Sequence, residues 1–506
     1  MYARVLGETP NGLDGEIIIV EVDLERGLPG FEIVGLPDMA IRESRERVRT
    51  ALKNSGFPFP QNRITVNLAP ANLRKDGSGL DLPIAIGILV SLGVLPQEKV
   101  QARVFIGELS LEGVIRNVSG ILPMVLEARD RKLEEIYIPE ENREEGQIVD
   151  GIRIFTPTTL KELVTHLQTP SLEPVAHKKW RPAQQAEDSA PDFADVHGQP
   201  VAKRALEIAA AGGHNILLVG SPGSGKTMLA RRLPGILPPL TQDEALEVTK
   251  VYSIAGLLKN NRGMLRERPF RSPHHTITLS ALIGGGMVPV PGEVTLSHNG
   301  VLFLDEFPEF SRTALEALRQ PLEDHFVSIS RLQGSYRFPS AFLLACAQNP
   351  CPCGYLGDSV KQCTCRSFEI ARYQRKISGP LLDRIDLQVY VPRVEYKALS
   401  ASCKEETSAQ IRQRVCAARM LQLERLEGSG NYCNAAMNHR QVVQHCRLNE
   451  AGNALLEAAF CKLGLSARSY DRLLKVARTI ADLAGCEVIL PDHIAEAIQL
   501  RTQAGT

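Results

Sequence analysis

The 506-residue chain carries 58 Lys and Arg against 58 Asp and Glu, and this zero net charge argues against a general basic coat for nucleic acid. Its length exceeds a single hydrophobic core and predicts about three domains. The longest apolar run, 82–95, is too short and too interrupted by glycine to span a bilayer, and no secretory-signal pattern stands at the N-terminus. We therefore expect a cytoplasmic protein without a membrane partner.

Residues 1–168 alternate β-rich and helical segments, which predicts an α/β domain. The following residues, 169–190, are rich in Pro, Gln, Ala and charge and are predicted to form a linker. The predicted strands are 15–22, 63–68, 104–107 and 135–138, and the predicted helices are 39–54, 82–92 and 121–131.

A glycine-rich run follows the apolar strand 215–219 and precedes a predicted helix at 228–233. Backbone N–H groups of such a loop can converge on phosphate oxygens, and glycines are needed because a Cβ would block that approach. Lys226 would reach the β- and γ-phosphates and Thr227 a magnesium ion. The pattern predicts a site for ATP and Mg²⁺ built from Gly220, Ser221, Pro222, Gly223, Ser224, Gly225, Lys226 and Thr227.

Two further predicted strands end in polar residues. The apolar run 300–304 ends in Asp305 and Glu306, an arrangement in which the first acid holds magnesium and the second orients or deprotonates the attacking water. The run 342–347 is followed shortly by Asn349, which we expect at the same sheet edge, beside the γ-phosphate.

All 11 cysteines lie after residue 345, and four of them form two Cys-x-Cys pairs, Cys351 with Cys353 and Cys363 with Cys365. Four thiolates at this spacing could hold a tetrahedral structural zinc ion. Free buried thiols and redox sensing are the alternatives.

The C-terminal part is predicted to be helical. A long helix is expected at 405–427, and further helical segments extend to about residue 500, which suits an all-α lid. Between the acidic strand and Asn349, residues 326–331 and 336–338 flank a turn at 333–334 and predict a β-hairpin.

Several segments resemble AAA+ ATPases of the magnesium-chelatase-like branch. They are 269–276, 291–300, 349–354 and 381–386. Over nearly all 506 residues the chain is similar to the YifB/ComM family, whose ComM members are ring helicases that drive branch migration during natural transformation. The resemblance implies that Arg384 is an arginine finger offered to a neighbouring subunit and that Arg468 is the sensor-2 arginine of the lid, both stabilising charge on the γ-phosphate.

The N-terminal domain resembles the Lon-type protease fold but departs from its chemistry. Aligned from Lys75, the serine position falls on Gly79, and Leu122 stands where the partner lysine is expected. Ser78 could be proposed as nucleophile, but it has no apparent lysine base. We therefore expect a structural or DNA-guiding role.

The resemblance also implies where DNA would bind. In ring motors of this branch the predicted hairpin projects toward the pore, so Arg331 and Arg337 could contact phosphates, although holding the subunit interface is equally compatible with them. The glycine-rich segment 283–292 is a second candidate pore loop. Adjacent His274 and His275 are expected to point in opposite directions in an extended segment and to serve the fold or an interface rather than catalysis.

The predicted organisation is a multidomain α/β protein. It comprises a Lon-protease-like α/β domain (1–168), a linker (169–190), an AAA+ core (191–395) and a helical lid (396–506). The predicted function is that of an ATP-driven hexameric motor, acting on branched or single-stranded DNA without sequence preference and promoting branch migration. A magnesium-chelatase-type motor subunit or a protein remodeller is the alternative.

Overall fold

The computed structural model describes most of the chain. Arg74, Asp76, part of the linker, Met287 and Gln333 lie outside the described residues, as does the side chain of Arg331. The described residues are 1–71, 75, 77–180, 191–258, 263–286, 289–331, 334–358, 360–394, 405–463 and 466–502.

The N-terminal part is built on a mixed seven-stranded sheet in the order β3-β4-β2-β1-β5-β8-β9. Strand β2 runs antiparallel to β1 and β4, and the other neighbours are parallel. A small ladder, β6 with β7, lies outside it. The strands are β1 (Tyr2–Asn11), β2 (Asp14–Glu25), β3 (Gly30–Val34), β4 (Arg63–Ala69), β5 (Arg103–Phe105), β6 (Glu108–Leu109), β7 (Ile115–Arg116), β8 (Glu135–Tyr137) and β9 (Arg153–Phe155).

Helices cover this sheet. The helix Asp81–Ser91 is buried along its whole length, as its nearly continuous apolar sequence requires, and contacts both β1 and β2. The helix Met39–Asn54 packs on it and begins at Asp38, whose side chain accepts a hydrogen bond from the Ile41 amide. The remaining helices here are Ile121–Asp130, Arg143–Gly146 and Leu160–Gln168.

The central part contains a parallel five-stranded sheet in the order β11-β14-β17-β10-β18. Its middle strands are buried on both faces, which explains their unbroken apolar sequences. Two hairpins, β12 with β13 and β15 with β16, stand outside it. The strands are β10 (Ile216–Val219), β11 (Phe270–Arg271), β12 (Gly284–Gly285), β13 (Val290–Pro291), β14 (Val301–Leu304), β15 (Phe326–Arg331), β16 (Gly334–Pro339), β17 (Leu343–Gln348) and β18 (Leu387–Tyr390).

One face of this sheet shares its hydrophobic core with the C-terminal helices. The central helices are Pro200–Gly212, Lys226–Ala230, Leu233–Ile236, Gln242–Ile254, Leu279–Ile283, Glu293–Leu296, Arg312–Ala317, Arg319–Asp324, Ser367–Gln374 and Gly379–Leu382. The C-terminal helices are Ser408–Arg425, His439–His445, Glu450–Leu463, Ala467–Leu483 and Pro491–Thr502.

The N-terminal and central parts meet through a hydrogen-bonded joint. Ser253 Oγ donates to Glu145 Oε2 at 2.6 Å, and the Gly120 amide donates to the Ser253 carbonyl at 3.0 Å. Burial raises the pKa of Glu145. Leu122, at the position where the Lon-type lysine was expected, is fully buried beside this joint.

The predicted mixed α/β fold with parallel strands is confirmed, and so is the hairpin. The sequence did not predict nine of the strands, and the helix predicted at 228–233 is instead divided into Lys226–Ala230 and Leu233–Ile236. The unpredicted strands are β1, β3, β6, β7, β9, β11, β12, β13 and β18. Among the described residues, no helix has the length and apolar character needed to cross a bilayer.

Candidate active site

The glycine-rich loop joins β10 to the helix Lys226–Ala230 and surrounds the Lys226 ammonium group. Gly223 and Gly225 have φ angles of 80° and 91°, a left-handed backbone that favours glycine. Lys226 Nζ donates to the carbonyls of Gly220 at 2.6 Å and Ser221 at 3.0 Å. Burial lowers the pKa of Lys226 to about 8, although the nearby Asp305 carboxylate acts in the opposite direction.

The residues present fit a bound triphosphate with magnesium. Ser224 Oγ is buried and has no hydrogen-bond partner within the described part of the chain. Thr227 Oγ1 donates to Asp305 Oδ2 at 2.7 Å, so a hydroxyl and a carboxylate oxygen lie together as magnesium coordination requires. Thr227 and Asp305 would hold the ion, whose charge would neutralise the phosphate oxygens.

The second carboxylate, Glu306, lies beside a histidine. Its backbone is left-handed, with φ 51°, and its amide donates to Asp305 Oδ1 at 2.9 Å. Its side chain is 57% exposed, and Oε2 lies 3.2 Å from His275 Nδ1. The carboxylate is therefore open to solvent water while one oxygen is held.

The expectation that His274 and His275 point in opposite directions is wrong. Their ring centroids are 4.1 Å apart, because the chain turns here: the Ile277 amide donates to the His274 carbonyl at 3.0 Å. Alternation holds for extended strands and not for such a turn. The contact of His275 with Glu306 was therefore not predicted. The sequence offered one indication of it, because His275 follows shortly after the strand β11.

Asn349 lies one residue beyond β17, at the sheet edge where the glycine-rich loop, which we call the phosphate loop, also begins. Its Oδ1 accepts a hydrogen bond from Lys226 Nζ at 3.3 Å. Lys226, Thr227, Asp305 and Asn349 therefore form one connected group, because β17 lies between β10 and β14 in the parallel sheet.

The four clustered cysteines also converge. Their Sγ atoms all lie within 4.8 Å of one another, with Cys351 3.4 Å from Cys353 and 3.6 Å from Cys363. A tetrahedral zinc ion with Zn–S bonds of about 2.3 Å requires S–S separations of about 3.8 Å, so the four residues, including Cys365, fit this metal with small adjustment.

The loop that carries these cysteines contacts the phosphate loop. A Cβ on Gly354 would come within 2.7 Å of the Pro222 ring, so the Gly354 backbone packs closely against that side chain. Ser221 hydrogen-bonds to Asp358, which lowers the pKa of Asp358 to about 2, and Arg393 Nε lies 2.9 Å from the same carboxylate. This connection was not predicted from the sequence.

Arg384 and Arg468 share a carboxylate away from the phosphate loop. Arg384 is 4% exposed, donates to the Pro380 carbonyl at 2.5 Å and pairs with Glu323. Burial lowers its pKa. Arg468 is 70% exposed and lies 3.8 Å from Glu323 Oε1. In the described part of the chain, no hydrogen bond or ion pair joins either arginine to the phosphate loop.

The candidate DNA contacts lie elsewhere. Arg337 is exposed on β16, and its guanidinium carbon lies 3.5 Å from the centroid of the Phe326 ring. The glycine-rich segment forms the β12–β13 hairpin, and a Cβ on Gly284 would come within 3.2 Å of Ile329 on β15, so the two hairpins pack together. In the N-terminal part, Ser78 hydrogen-bonds to Glu108, while buried Lys75 donates to the Gly35 carbonyl at 2.9 Å.

Three family models match the chain. "Magnesium chelatase, subunit ChlI" matches residues 192–399, "Subunit ChlI of Mg-chelatase" matches 20–142, and "Magnesium chelatase, subunit ChlI C-terminal" matches 405–501. These descriptions agree with the magnesium-chelatase-like AAA+ resemblance.

Curated relatives cover almost the whole chain. Competence protein ComM of Haemophilus influenzae is 43% identical over 502 residues, 99% of this chain and 97% of that protein. The uncharacterized protein YifB of Escherichia coli is 41% identical over 97% of this chain and 95% of its own length. Lon protease 2 of Bacillus subtilis is 26% identical over 148 residues, 28% of this chain and 26% of that protein. The chain therefore belongs to the YifB/ComM family of magnesium-chelatase-like AAA+ proteins.

Proposed function

We propose that this chain is an ATP-driven ring motor that acts on DNA and promotes branch migration of recombination intermediates. The observation that carries the proposal is the connected group of Lys226, Thr227, Asp305 and Asn349, with Glu306 beside it. The full-length similarity to a competence protein supports DNA as the substrate. DNA-stimulated ATP hydrolysis, measured with four-way and single-stranded DNA at several salt concentrations, tests it.

In the proposed mechanism each residue acts on phosphate, metal or water. Phosphate-loop amides and Lys226 would bind the β- and γ-phosphates, and Thr227 and Asp305 would hold magnesium. Glu306, oriented by His275, accepts a proton from the attacking water, and Asn349 fixes that water against the γ-phosphate. Magnesium, when bound, neutralises charge that develops on the phosphate oxygens.

We propose that Arg384 completes the site of a neighbouring subunit in a hexameric ring and that Arg468 is the sensor-2 arginine of the lid. Arg384 contacts Glu323 rather than its own phosphate loop, which supports action across a subunit boundary. A γ-phosphate of the neighbour would compete with Glu323 for the Arg384 guanidinium group. The proposal also includes the domain division, with a Lon-protease-like first domain at 1–168, a linker at 169–190, an AAA+ core at 191–395 and an all-α lid at 396–506. It places the protein in the cytoplasm. It also assigns Arg331 and Arg337 as contacts to DNA phosphates.

ATP affinity is expected to fall as pH rises through about 8. The pKa of Lys226 is lowered to about 8 by burial, and bound phosphates would raise it, so binding takes up a proton. Affinity should be constant near neutral pH and fall by up to about tenfold per pH unit above the free-protein pKa. Titration of a fluorescent ATP analogue from about pH 7 to about pH 9.5 measures this. In Lys226→Arg, whose guanidinium keeps its proton, the dependence should flatten; an unchanged affinity across this range in the wild type would contradict the assignment.

The cysteine cluster is expected to hold about one zinc ion per chain. Because Gly354 packs on Pro222 and Asp358 binds Ser221, loss of zinc should loosen the phosphate loop and weaken ATP binding about tenfold, besides lowering the melting temperature. Elemental analysis and ATP titration of Cys351→Ser/Cys363→Ser measure both effects. Cys461→Ser, at an exposed cysteine, is the control. Purified protein without zinc, or a double variant with wild-type melting, would refute the site.

A further inference from the structure

The N-terminal part presents a row of cations on an otherwise charge-balanced chain. Arg42, Arg45, Arg49 and Lys53 are all exposed on the helix Met39–Asn54, at spacings of three, four and four residues. Residues at this spacing share one helix face, which here adjoins the buried face that packs on the domain core. We call these four residues the basic stripe.

The cations of the basic stripe are not neutralised by carboxylates. Among the described residues, no ion pair joins any of the four to Asp or Glu. Arg45 instead donates to the carbonyls of Arg42 at 3.0 Å and Phe31 at 3.4 Å. Exposed Glu46 lies on the same face, four residues after Arg42 and three before Arg49, but in the described part of the chain it forms no ion pair with either, and the neighbouring Arg47 is separate because it is paired with buried Asp81. The stripe is therefore available to a polyanion.

Two partly exposed aromatic rings adjoin the stripe. Phe31 on β3 and Phe59 have ring centroids 6.2 Å apart at a tilt of 41°. The Arg49 guanidinium carbon lies 5.7 Å and Lys53 Nζ 6.0 Å from the centroid of Phe59. Cations and rings thus form one continuous surface.

We propose that the basic stripe, together with Phe31 and Phe59, binds single-stranded DNA. The helix from residue 42 to 53 is about 16 Å long, the rise of roughly five stacked nucleotides. Single-strand binding without sequence preference requires two features side by side. Cations follow the phosphate backbone of the nucleic acid, and aromatic rings stack on its bases. An acidic protein would pair with the cations of the basic stripe but would not stack on the rings of Phe31 and Phe59. The inference deepens the proposed function, on which it rests, by assigning a DNA contact outside the motor core.

The test compares variants of the full-length protein by fluorescence anisotropy on labelled single-stranded DNA. Arg42→Ala/Arg45→Ala/Arg49→Ala/Lys53→Ala is expected to weaken binding at least tenfold and to reduce the salt slope by about 3, because four phosphate contacts are lost at about 0.7 ions each. Its melting temperature should stay near the wild-type value, since all four side chains are exposed. Replacing Phe59 by Leu should weaken single-strand binding more than duplex binding.

The control removes equal charge from the same part of the protein. Arg131, Arg143 and Arg153 are exposed, Arg129 is partly exposed, and all four are paired with carboxylates. Their quadruple alanine variant should bind single-stranded DNA like the wild type, and Arg42→Lys/Arg45→Lys/Arg49→Lys should preserve binding.

The remaining outcomes would overturn the inference or a part of it. Wild-type affinity and salt slope in the stripe variant, or an equal loss in the control, would overturn the inference while leaving the proposed function intact. Tighter binding of single-stranded RNA than of DNA, lost in the same variant, would overturn the assignment of DNA as the ligand. A wild-type protein that binds no DNA would overturn the proposed function and this inference together.

Discussion

Replacing Glu306 by glutamine is expected to preserve ATP binding and to slow hydrolysis by roughly a hundredfold to ten-thousandfold, the usual contribution of a positioned general base. The side chain is half exposed at the end of β14, so an amide of the same shape fits there. Lys226 and Thr227, which would bind phosphate and metal, are unchanged by this substitution. Single-turnover hydrolysis, measured beside the affinity for a fluorescent ATP analogue, separates the two effects.

Glu309→Gln is the matched control. Glu309 lies three residues further along the same loop, is also partly exposed and pairs with Lys376 at 2.8 Å, away from the phosphate loop. It should hydrolyse ATP at the wild-type rate. Normal turnover in Glu306→Gln would remove this residue from the mechanism.

Arg384→Ala is expected to lower ATP hydrolysis about a thousandfold or more, the effect of losing an arginine finger, equivalent to about 4 kcal/mol of transition-state stabilisation. Because Arg384 is buried and contacts Pro380 and Glu323, its removal can also affect folding, so the melting temperature of the variant must be measured as well. Arg319→Ala is the control, since partly exposed Arg319 pairs with Glu316.

Mixing distinguishes action across a boundary from action within one chain. In rings assembled randomly from equal amounts of Arg384→Ala and Lys226→Ala protein, roughly one quarter of the sites would combine an intact phosphate loop with an intact finger from the neighbour. Activity should therefore recover to about that fraction. If every mixing ratio stays inactive although mixed rings form, the finger does not act in trans.

The sequence predicted that residues from short contiguous motifs would meet in the candidate site. The glycine-rich loop, Asp305 and Asn349 were expected together because each follows an apolar run, and parallel strands bring their carboxyl ends to one edge. The cysteine spacing similarly indicated that four Sγ atoms would meet.

The contacts that the sequence did not predict join residues far apart in the chain. Glu323 meets Arg384 from 61 positions away, and Ser253 meets Glu145 from 108. No local periodicity encodes such pairs, because they depend on how separate elements pack. The contact between His275 and Glu306 was missed for a different reason, since a turn replaced the extended backbone that was assumed.

Whether this chain couples ATP hydrolysis to movement of a DNA branch point can be decided by a strand-exchange measurement. Purified protein is mixed with a labelled four-way junction whose arms can migrate, and the separated duplex products are quantified over time with and without ATP. We expect ATP-dependent product formation by the wild type and by Glu309→Gln, and none by Glu306→Gln. Wild-type protein that hydrolyses ATP but leaves every junction and forked DNA unchanged would refute branch migration and favour a motor that acts on protein.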